Sequence, residues 1–252
     1  MSIKPAPSSS APMTTVMKGL RFEQRSLRLL REHLSMSLRR VGGKGDGGID
    51  LQGWWWLPAE CVHQSVAVQE VPGSTARARL RVVAQCKAEE KKIGPRYIRE
   101  FEGTILRHSA HLSARDHDQS ASRGASTRDA LIGLFLSTSP FTKASLLQAY
   151  SSPIPLALLH LPENSSSEDQ ADATSTANTS AGRSPTAAGL PGTLLFNSAL
   201  SGSTGLLRGL IEPRWEHSVT SPGGHPGIWS NGARIRSWTP DDERDGDLEQ
   251  TP

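Results

Sequence analysis

The stretch Gly42-Gly43-Lys44-Gly45-Asp46-Gly47-Gly48-Ile49-Asp50-Leu51, read together with Arg81-Val82-Val83-Ala84-Gln85-Cys86-Lys87, decides the fold. The first is a glycine-rich turn that runs into a strand carrying a carboxylate. The second is an apolar strand whose end turns abruptly polar. Side chains alternate along a strand, so Gln85 and Lys87 share one face while Ala84 and Cys86 share the other. A core strand has no packing reason to end Gln-x-Lys, and the two stretches are expected to lie side by side.

Upstream, Val16, Leu20, Leu27, Leu30, Leu34 and Leu38 recur at helical spacing and predict a helix from about Thr15 to Leu38. Glu23 falls on the stripe that this helix should bury. Such a carboxylate either reaches the edge or pairs with an arginine such as Arg28, or it belongs to a site. A short strand around Arg39 to Val41 should precede the glycine turn, and a strand from about Ile49 to Trp56 should follow it, with Asp50 and Gln52 on one face. Residues 57 to 79 read as a long hairpin connection. For the run Trp54-Trp55-Trp56, packing is the expected role ahead of stacking on bases.

Downstream, Pro95 is placed to open a helix with Ile98, Phe101 and Ile105 on one face. Residues 111 to 128 read as a polar loop. Leu131 to Leu136 reads as a buried strand, Thr142 to Tyr150 as a short helix, and Pro155 to Leu161 as a second buried strand. The order helix, three strands, helix, strand, helix, strand predicts an α/β fold with a mixed central sheet flanked by helices.

Composition sets the limits of the domain. The chain has 252 residues, with 36% hydrophobic and 5% aromatic content, which suits one core of roughly 150 residues with polar appendages. Residues 1–13 read as a disordered leader compatible with a transit peptide, residues 14–161 as the folded domain, and 162–192 as a disordered Ser/Thr/Ala-rich insertion. Residues 193–238 are expected to be a helical extension packing on the domain, and 239–252 an acidic disordered tail. Two cysteines, Cys61 and Cys86, make no disulfide framework. No apolar run approaches the ~20 residues of a membrane span.

Charge is unevenly distributed. Residues 1 to 111 hold 18 Lys and Arg against 10 Asp and Glu, whereas residues 112 to 252 hold 10 against 15. The half that carries both key stretches is the basic one, as suits a polyanionic partner. Arg96 and Arg99, on the first turns of the second helix, and Lys44, in the glycine turn, are candidate phosphate contacts. The glycine turn is not a nucleotide phosphate loop, because no Gly-Lys-Ser/Thr follows and it leads into a strand instead of a helix. Cys61-x-His63 and His108-x-x-His111 lack the second pair that a structural zinc site needs.

Phe22-Glu23, then Gly-Gly-Lys-Gly-Asp-Gly-Gly-Ile-Asp, then Val-Val-Ala-Gln-Cys-Lys, then Ile98-Arg99-Glu100-Phe101-Glu102-Gly103 together resemble the Mrr-like branch of the PD-(D/E)xK nucleases, the restriction endonuclease-like fold. The longer forms around Gly48 to Trp55 and Lys92 to Gly103 look most like the fungal mitochondrial "required for respiratory growth" proteins. The resemblance covers about residues 19 to 161. It implies a mitochondrial, Mg²⁺- or Mn²⁺-dependent endonuclease acting on DNA, with RNA as an alternative substrate. A catalytically inactive nuclease fold acting as a nucleic-acid-binding or structural module is the competing reading.

The resemblance also assigns roles. Asp50 resembles the family's metal-binding Asp, and Lys87 the motif lysine that steadies charge on the scissile phosphate. Gln85 stands where the wider superfamily has Asp or Glu, which leaves the metal one anionic ligand short. Glu23 is then the natural compensating carboxylate, and Asp46 a further candidate that could equally shape the turn. Nothing in these motifs fixes an oligomeric state, and a homodimer is compatible with them.

Overall fold

A computed structural model describes residues 14–41, 47–63, 66, 68–69, 75–119, 130–162, 191–218 and 221–240. Helix α1 spans Thr15–Leu34. The Thr14 hydroxyl caps it by accepting from the Met17 amide at 3.3 Å, and Ser35, in the left-handed region at φ 59°, ends it. Its buried face is Phe22, Ser26, Leu30 and Leu34, four residues apart, whereas Val16 at the free end is 80% exposed. The helix therefore stops four residues before the predicted Leu38. Met36 to Arg40 become strand β1, because the turn at Ser35 redirects Leu38 from a helical stripe into a sheet.

Strand β2 (Leu51–Pro58) pairs antiparallel with β1, Met36 opposite Trp55 and Leu38 opposite Gly53. A Cβ on Gly53 would sit 2.0 Å from the Ser37 carbonyl oxygen, so this crossing of strands requires glycine. After a 3-10 turn (Ala59–Cys61), the two-residue β3 (Val68–Gln69) and the long β4 (Arg77–Lys87) complete the antiparallel part. The predicted hairpin connection is thus shorter than expected, since β4 starts four residues before Arg81.

Helix α2 (Pro95–Gln119) begins at the predicted proline and buries Ile98, Phe101 and Ile105. It continues through residues 111 to 119, which were expected to be loop. Strand β5 (Leu131–Ser137), helix α3 (Lys143–Ser151) and strand β6 (Leu156–His160) follow the predicted pattern, and Thr142 caps α3 through Ser145 N–H. Strands β4, β5 and β6 run parallel through the α2 and α3 crossovers, as βαβ units require.

The expected helical extension is instead mostly β. Thr193–Phe196 is strand β7, antiparallel to β6, and Ser198–Ser201 is a single helical turn, α4. Strands β8 (Glu212–Ser218), β9 (Ser221–Ser230) and β10 (Ala233–Arg234) form a separate antiparallel sheet. The main sheet has order β1-β2-β4-β5-β6-β7, with β3 on the edge of β4. Leu194-Leu195-Phe196 is too short an apolar run for periodicity to separate strand from helix, and pairing with β6 makes it a strand.

Two cores face away from each other across the sheet. One joins α1 to Leu51, Trp55, Leu80, Val82, Ala84 and Leu134, and it includes Ile211, Ile228 and Ile235 from the C-terminal sheet. The other joins α2 and α3 to Val83, Phe135, Leu156 and Leu158. The C-terminal segment packs on the first core through strands, where helices were expected. The predicted leader, most of the insertion and most of the tail lie outside the described residues. At their edges Pro162 accepts from Arg25, Gly192 is buried against Trp215 and Thr239 is 3% exposed, so the packed region extends past the expected boundaries. Among the described residues no helix is long and apolar enough to cross a membrane.

Candidate active site

Asp50 sits one residue before β2, where three strands meet. Its N–H donates to the Ala84 carbonyl at 2.9 Å, and its own carbonyl accepts from Val41 N–H at 2.9 Å. The backbone is therefore fixed on both sides before the side chain does anything. Asp50 Oδ2 accepts from Cys86 N–H at 2.7 Å, a charge-assisted bond that ties the carboxylate to the polar end of β4.

Glu23 approaches from α1. Its Oε2 accepts from Arg40 Nε at 2.6 Å, and the carboxylate is 18% exposed while the guanidinium is 47% exposed. The pairing expected as one explanation of Glu23 is thus present, with Arg40 at the end of β1 as the partner instead of Arg28. Salt screening at so exposed an arginine makes this pair a positioning contact more than a source of stability.

These groups act electrostatically on the Cys86 thiol. Burial pushes it well above the ordinary range, the Asp50 and Glu23 carboxylates push it the same way, and Lys87 and Arg40 oppose them. Asp50, before β2, Glu23 on α1, Arg40 on β1 and Lys87 on β4 thus all act electrostatically on the end of β4. A half-buried thiol whose ionisation is opposed in this way is a packing group here, not a nucleophile.

Gln85 takes the opposite face, as alternation requires. Its Nε2 lies 3.2 Å from where a Cβ on Gly48 would be, so the amide rests against the glycine turn. Gly48 has φ 90°, a conformation that favours glycine, and the turn is pinned from α2 by Thr104 Oγ1, which donates to Gly47 O at 3.0 Å. Arg107 Nη2 reaches the same carbonyl at 3.5 Å. The structure thus ties Asp50 to the Cys86 amide and sets Gln85 against the turn on the α2 side of the same strand end, the face that Lys87 shares by alternation, whereas Glu23 on α1 is held by Arg40.

Of the remaining candidates, Arg96 donates from Nε to Glu100 at 2.7 Å and is 83% exposed, and Arg99 is exposed on the same helix. Lys44 and Asp46 lie outside the described residues. Among the described residues no three His, Cys, Asp or Glu side chains form a group able to hold a metal ion.

Several participants escaped the sequence reading. Nothing in the sequence singles out Arg40 or Thr104, and only the register of β1 and the path of α2 bring them to the site. Trp55 and Trp56 are buried, as expected of packing, but Trp54 is half-exposed with the guanidinium carbons of Arg79 and Arg81 at 4.4 and 4.6 Å from its ring centroid. The period-two run Arg77-x-Arg79-x-Arg81 was the available signal.

Fold and site together define a mixed-sheet α/β protein with a charged cluster at the end of its central strand. The family model described as Required for respiratory growth protein 7 matches residues 14–183, and the chain belongs to that family. It is 36% identical over 99 residues to an uncharacterised mitochondrial protein of Schizosaccharomyces pombe, covering 39% of this chain and 32% of that protein. It is 30% identical over 125 residues to the mitochondrial Required for respiratory growth protein 7 of Saccharomyces cerevisiae, covering 39% of this chain and 51% of that protein. The matches thus span about a third and about half of these relatives' lengths. Both relatives are named mitochondrial proteins, in agreement with the mitochondrial localisation expected from the sequence. No solved structure matches the chain.

Proposed function

We propose that the chain is a metal-dependent nuclease of the restriction endonuclease-like fold, Mrr-like branch, acting on DNA in support of respiratory growth. The observation that carries this reading is that Asp50 is tied to the end of β4 and that Glu23 and Lys87 act electrostatically there with it. Two carboxylates and an ammonium at one strand end are what hydrolysis of a phosphodiester needs.

The donor chemistry fits Mg²⁺ or Mn²⁺ and not a structural zinc. Mg²⁺ is commonly held by one or two carboxylates, with water and substrate oxygens completing its shell. Asp50 would be the principal ligand, with Glu23 and the Gln85 amide oxygen as supporting donors. A bound Mg²⁺ supplies Lewis-acid polarisation of the phosphate and a more acidic water. Lys87 holds positive charge beside the phosphate oxygens as negative charge develops on them. Cys86 N–H fixes the orientation of Asp50, and Arg40 holds Glu23 at the sheet. In the overall step, the water oxygen bonds to phosphorus, one P–O ester bond breaks, and the water proton ends on the departing hydroxyl.

A second reading, a nuclease fold that binds nucleic acid without cleaving it, draws on the Glu23–Arg40 pair, which occupies one of the two carboxylates. Cleavage of supercoiled and linear DNA by the full chain with Mg²⁺ or Mn²⁺, beside Asp50→Ala and Lys87→Ala, separates the two. Cleavage by wild type and its loss in both variants, with binding retained, supports a nuclease. Inert wild type with intact salt-sensitive binding supports the second reading.

A further inference from the structure

The sheet end that carries Lys87 continues into a second charged surface. Residues 88–94, between β4 and α2, are held against the segment that joins β5 to α3. Thr138 N–H donates to the Lys87 carbonyl at 3.1 Å, and Thr138 Oγ1 donates to the Glu89 carbonyl at 3.1 Å. Ile93 N–H donates to the Pro140 carbonyl at 3.0 Å, while the Ile93 carbonyl accepts from Thr142 N–H at 2.9 Å and from Ser145 Oγ at 2.8 Å. The two connections therefore form one braced ledge across the C-terminal ends of β4 and β5, with the first turns of α2 and α3 side by side on it.

The ledge sorts its charges. Ile93 is fully buried, and Lys91 and Lys92 before it are exposed. Arg99 is exposed too, and it stands three residues before Glu102, whose carboxylate accepts from Gln148 of α3 at 3.1 Å. Residues three apart share a flank of a helix, so Arg99 lies on the flank of α2 turned to α3. Lys143 opens α3 and is exposed. The carboxylates nearby are drawn elsewhere: Glu89 accepts from Tyr97 Oη at 2.6 Å, Glu90 lies 3.9 Å from Lys18 of α1, and Glu100 accepts from Arg96 at 2.7 Å. Among the described residues, the side chains of Lys91, Lys92, Arg99 and Lys143 make no hydrogen bond or ion pair.

Uncompensated cations fixed on one braced surface raise the potential outside it, and a polyanion that displaces their counterions relieves that repulsion. Lysine is a point charge on a flexible stem, which suits backbone phosphates and not base edges. We infer that the ledge of Lys91, Lys92, Arg99 and Lys143 binds the phosphodiester backbone of a nucleic acid beside the bond placed at Lys87. Lys91 follows Lys87 by four residues, at most about 14 Å of extended chain. At about 3.4 Å of B-form rise per nucleotide, the ledge engages phosphates a few nucleotides from that bond. The inference rests on the proposed nucleic-acid partner, but it does not require cleavage.

The test is fluorescence anisotropy of labelled single-stranded DNA, duplex DNA and RNA with the full chain, without divalent metal, across a salt series. Lys91→Gln/Lys92→Gln and Arg99→Gln/Lys143→Gln should each weaken binding at least about tenfold near 100 mM salt. Losing two phosphate contacts should also lower the log–log salt slope by about 1.4 on a single strand or about 1.8 on a duplex. Arg28→Gln/Arg214→Gln removes as much charge from α1 and the separate C-terminal sheet, and it should bind like wild type. Lys91→Arg/Lys92→Arg keeps the charge and should bind like wild type as well.

If one glutamine pair fails to fold by circular dichroism, the other decides in its place. Wild-type affinity and slope in the folded ledge variants would overturn the inference, as would an equal loss in the Arg28/Arg214 variant. So would wild type that binds none of the three nucleic acids, whether or not it binds anionic vesicles. Cleavage in Mg²⁺ on the same preparations keeps the two readings apart. Cleavage by wild type with unchanged binding in the ledge variants sinks the ledge alone, whereas impaired binding in those variants with no cleavage by wild type sinks only the nuclease.

Discussion

Asn197 should prove the most costly single polar residue in the described structure to remove. It is 5% exposed and sits where β7 ends, α4 begins and α3 passes overhead. Its Nδ2 donates to the carbonyls of Ala149 at 3.0 Å, Ser152 at 3.2 Å and Ile154 at 2.8 Å. Its Oδ1 accepts from Leu156 N–H at 2.9 Å and Leu200 N–H at 3.0 Å. Leu200 N–H also reaches the Asn197 carbonyl at 3.1 Å, so it keeps a partner after truncation.

Leu156 N–H is more exposed to loss, because the buried first residue of β6 gives its hydrogen to Oδ1. In Asn197→Ala, leaving that donor unsatisfied costs about 1–3 kcal/mol, and the three carbonyls lose a shared donor besides. Loss of the α4 cap adds about 1 kcal/mol. The sum, about 3 kcal/mol or more, is a large fraction of the ~5–15 kcal/mol that holds a domain folded. Urea unfolding should show the midpoint fall with the slope unchanged.

Asn197→Asp sharpens the test. It keeps the acceptor but turns the donor into an anion facing three carbonyls, so at pH 7 it should be no better than alanine. Lowering the pH should recover it relative to wild type, as the carboxyl protonates and can donate again. A cost below about 1 kcal/mol for alanine, or wild-type stability for aspartate at pH 7, would refute the network as a source of stability.

Three further outcomes are expected. Gly133→Val should lower the melting temperature by several degrees, because even a Cβ there lies 2.3 Å from Ile105 Cδ1 and 2.9 Å from Phe101 Cε1, and overpacking costs about 1–3 kcal/mol; an unchanged melt would mean α2 rides further from β5. Burial, then His225 and Arg234, lower the His33 imidazole from 6.5 to about 4 against the pull of Glu216, and Glu32 lies 4.0 Å away. The unfolded chain therefore takes up that proton first, and stability present above pH 6.5 is lost as pH falls towards 4, by at most about 3 kcal/mol. His33→Gln should flatten that loss in urea midpoints at pH 7 and 4.5, and an equal loss in both proteins would clear His33. Gly47→Ala and Gly48→Ala are both strained at positive φ, but only the second meets Gln85. If the turn positions Gln85 for cleavage, Gly48→Ala should lose the greater part of the turnover, and equal rates in the two variants would dismiss that role.

Much of this architecture could be read from residue spacing because the elements with strong periodicity also bury the core. Ile98, Phe101 and Ile105 announced α2, and the run Leu131 to Leu136 announced β5. Ends were less legible. A serine in the left-handed region ended α1 at Leu34, and no hydrophobic pattern encodes that conformation. Polar residues 111 to 119 stay helical because α2 continues an established helix, which local polarity does not veto. In β8 and β9, Pro213, Gly223 and Gly224 argue against strand locally, and the pairing of Pro213 with Ile228 overrides them. At the site, Asp50, Gln85 and Lys87 stood out because polarity at a strand end has no packing cause. Arg40 and the Cys86 amide could not, since they follow from which strand lies beside which.

The end of α1 is completed from far away in the chain. Ser35 N–H donates to Ser237 Oγ at 2.9 Å, Ser237 Oγ donates to Arg31 O at 2.6 Å, and Trp238 N–H donates to Ser35 Oγ at 3.1 Å, contacts that reach across 202 to 206 residues. At a synthesis rate of roughly 5–20 residues per second, the partner of this helix arrives about 10–40 seconds after the helix itself. Until then the nascent domain holds its first element with the C-terminus unlatched and part of the α1 core uncovered. The last described segment acts as a clasp in time as well as in space, and a ribosome stalled before Ser237 should leave a chain more sensitive to protease than its nearly complete length would suggest.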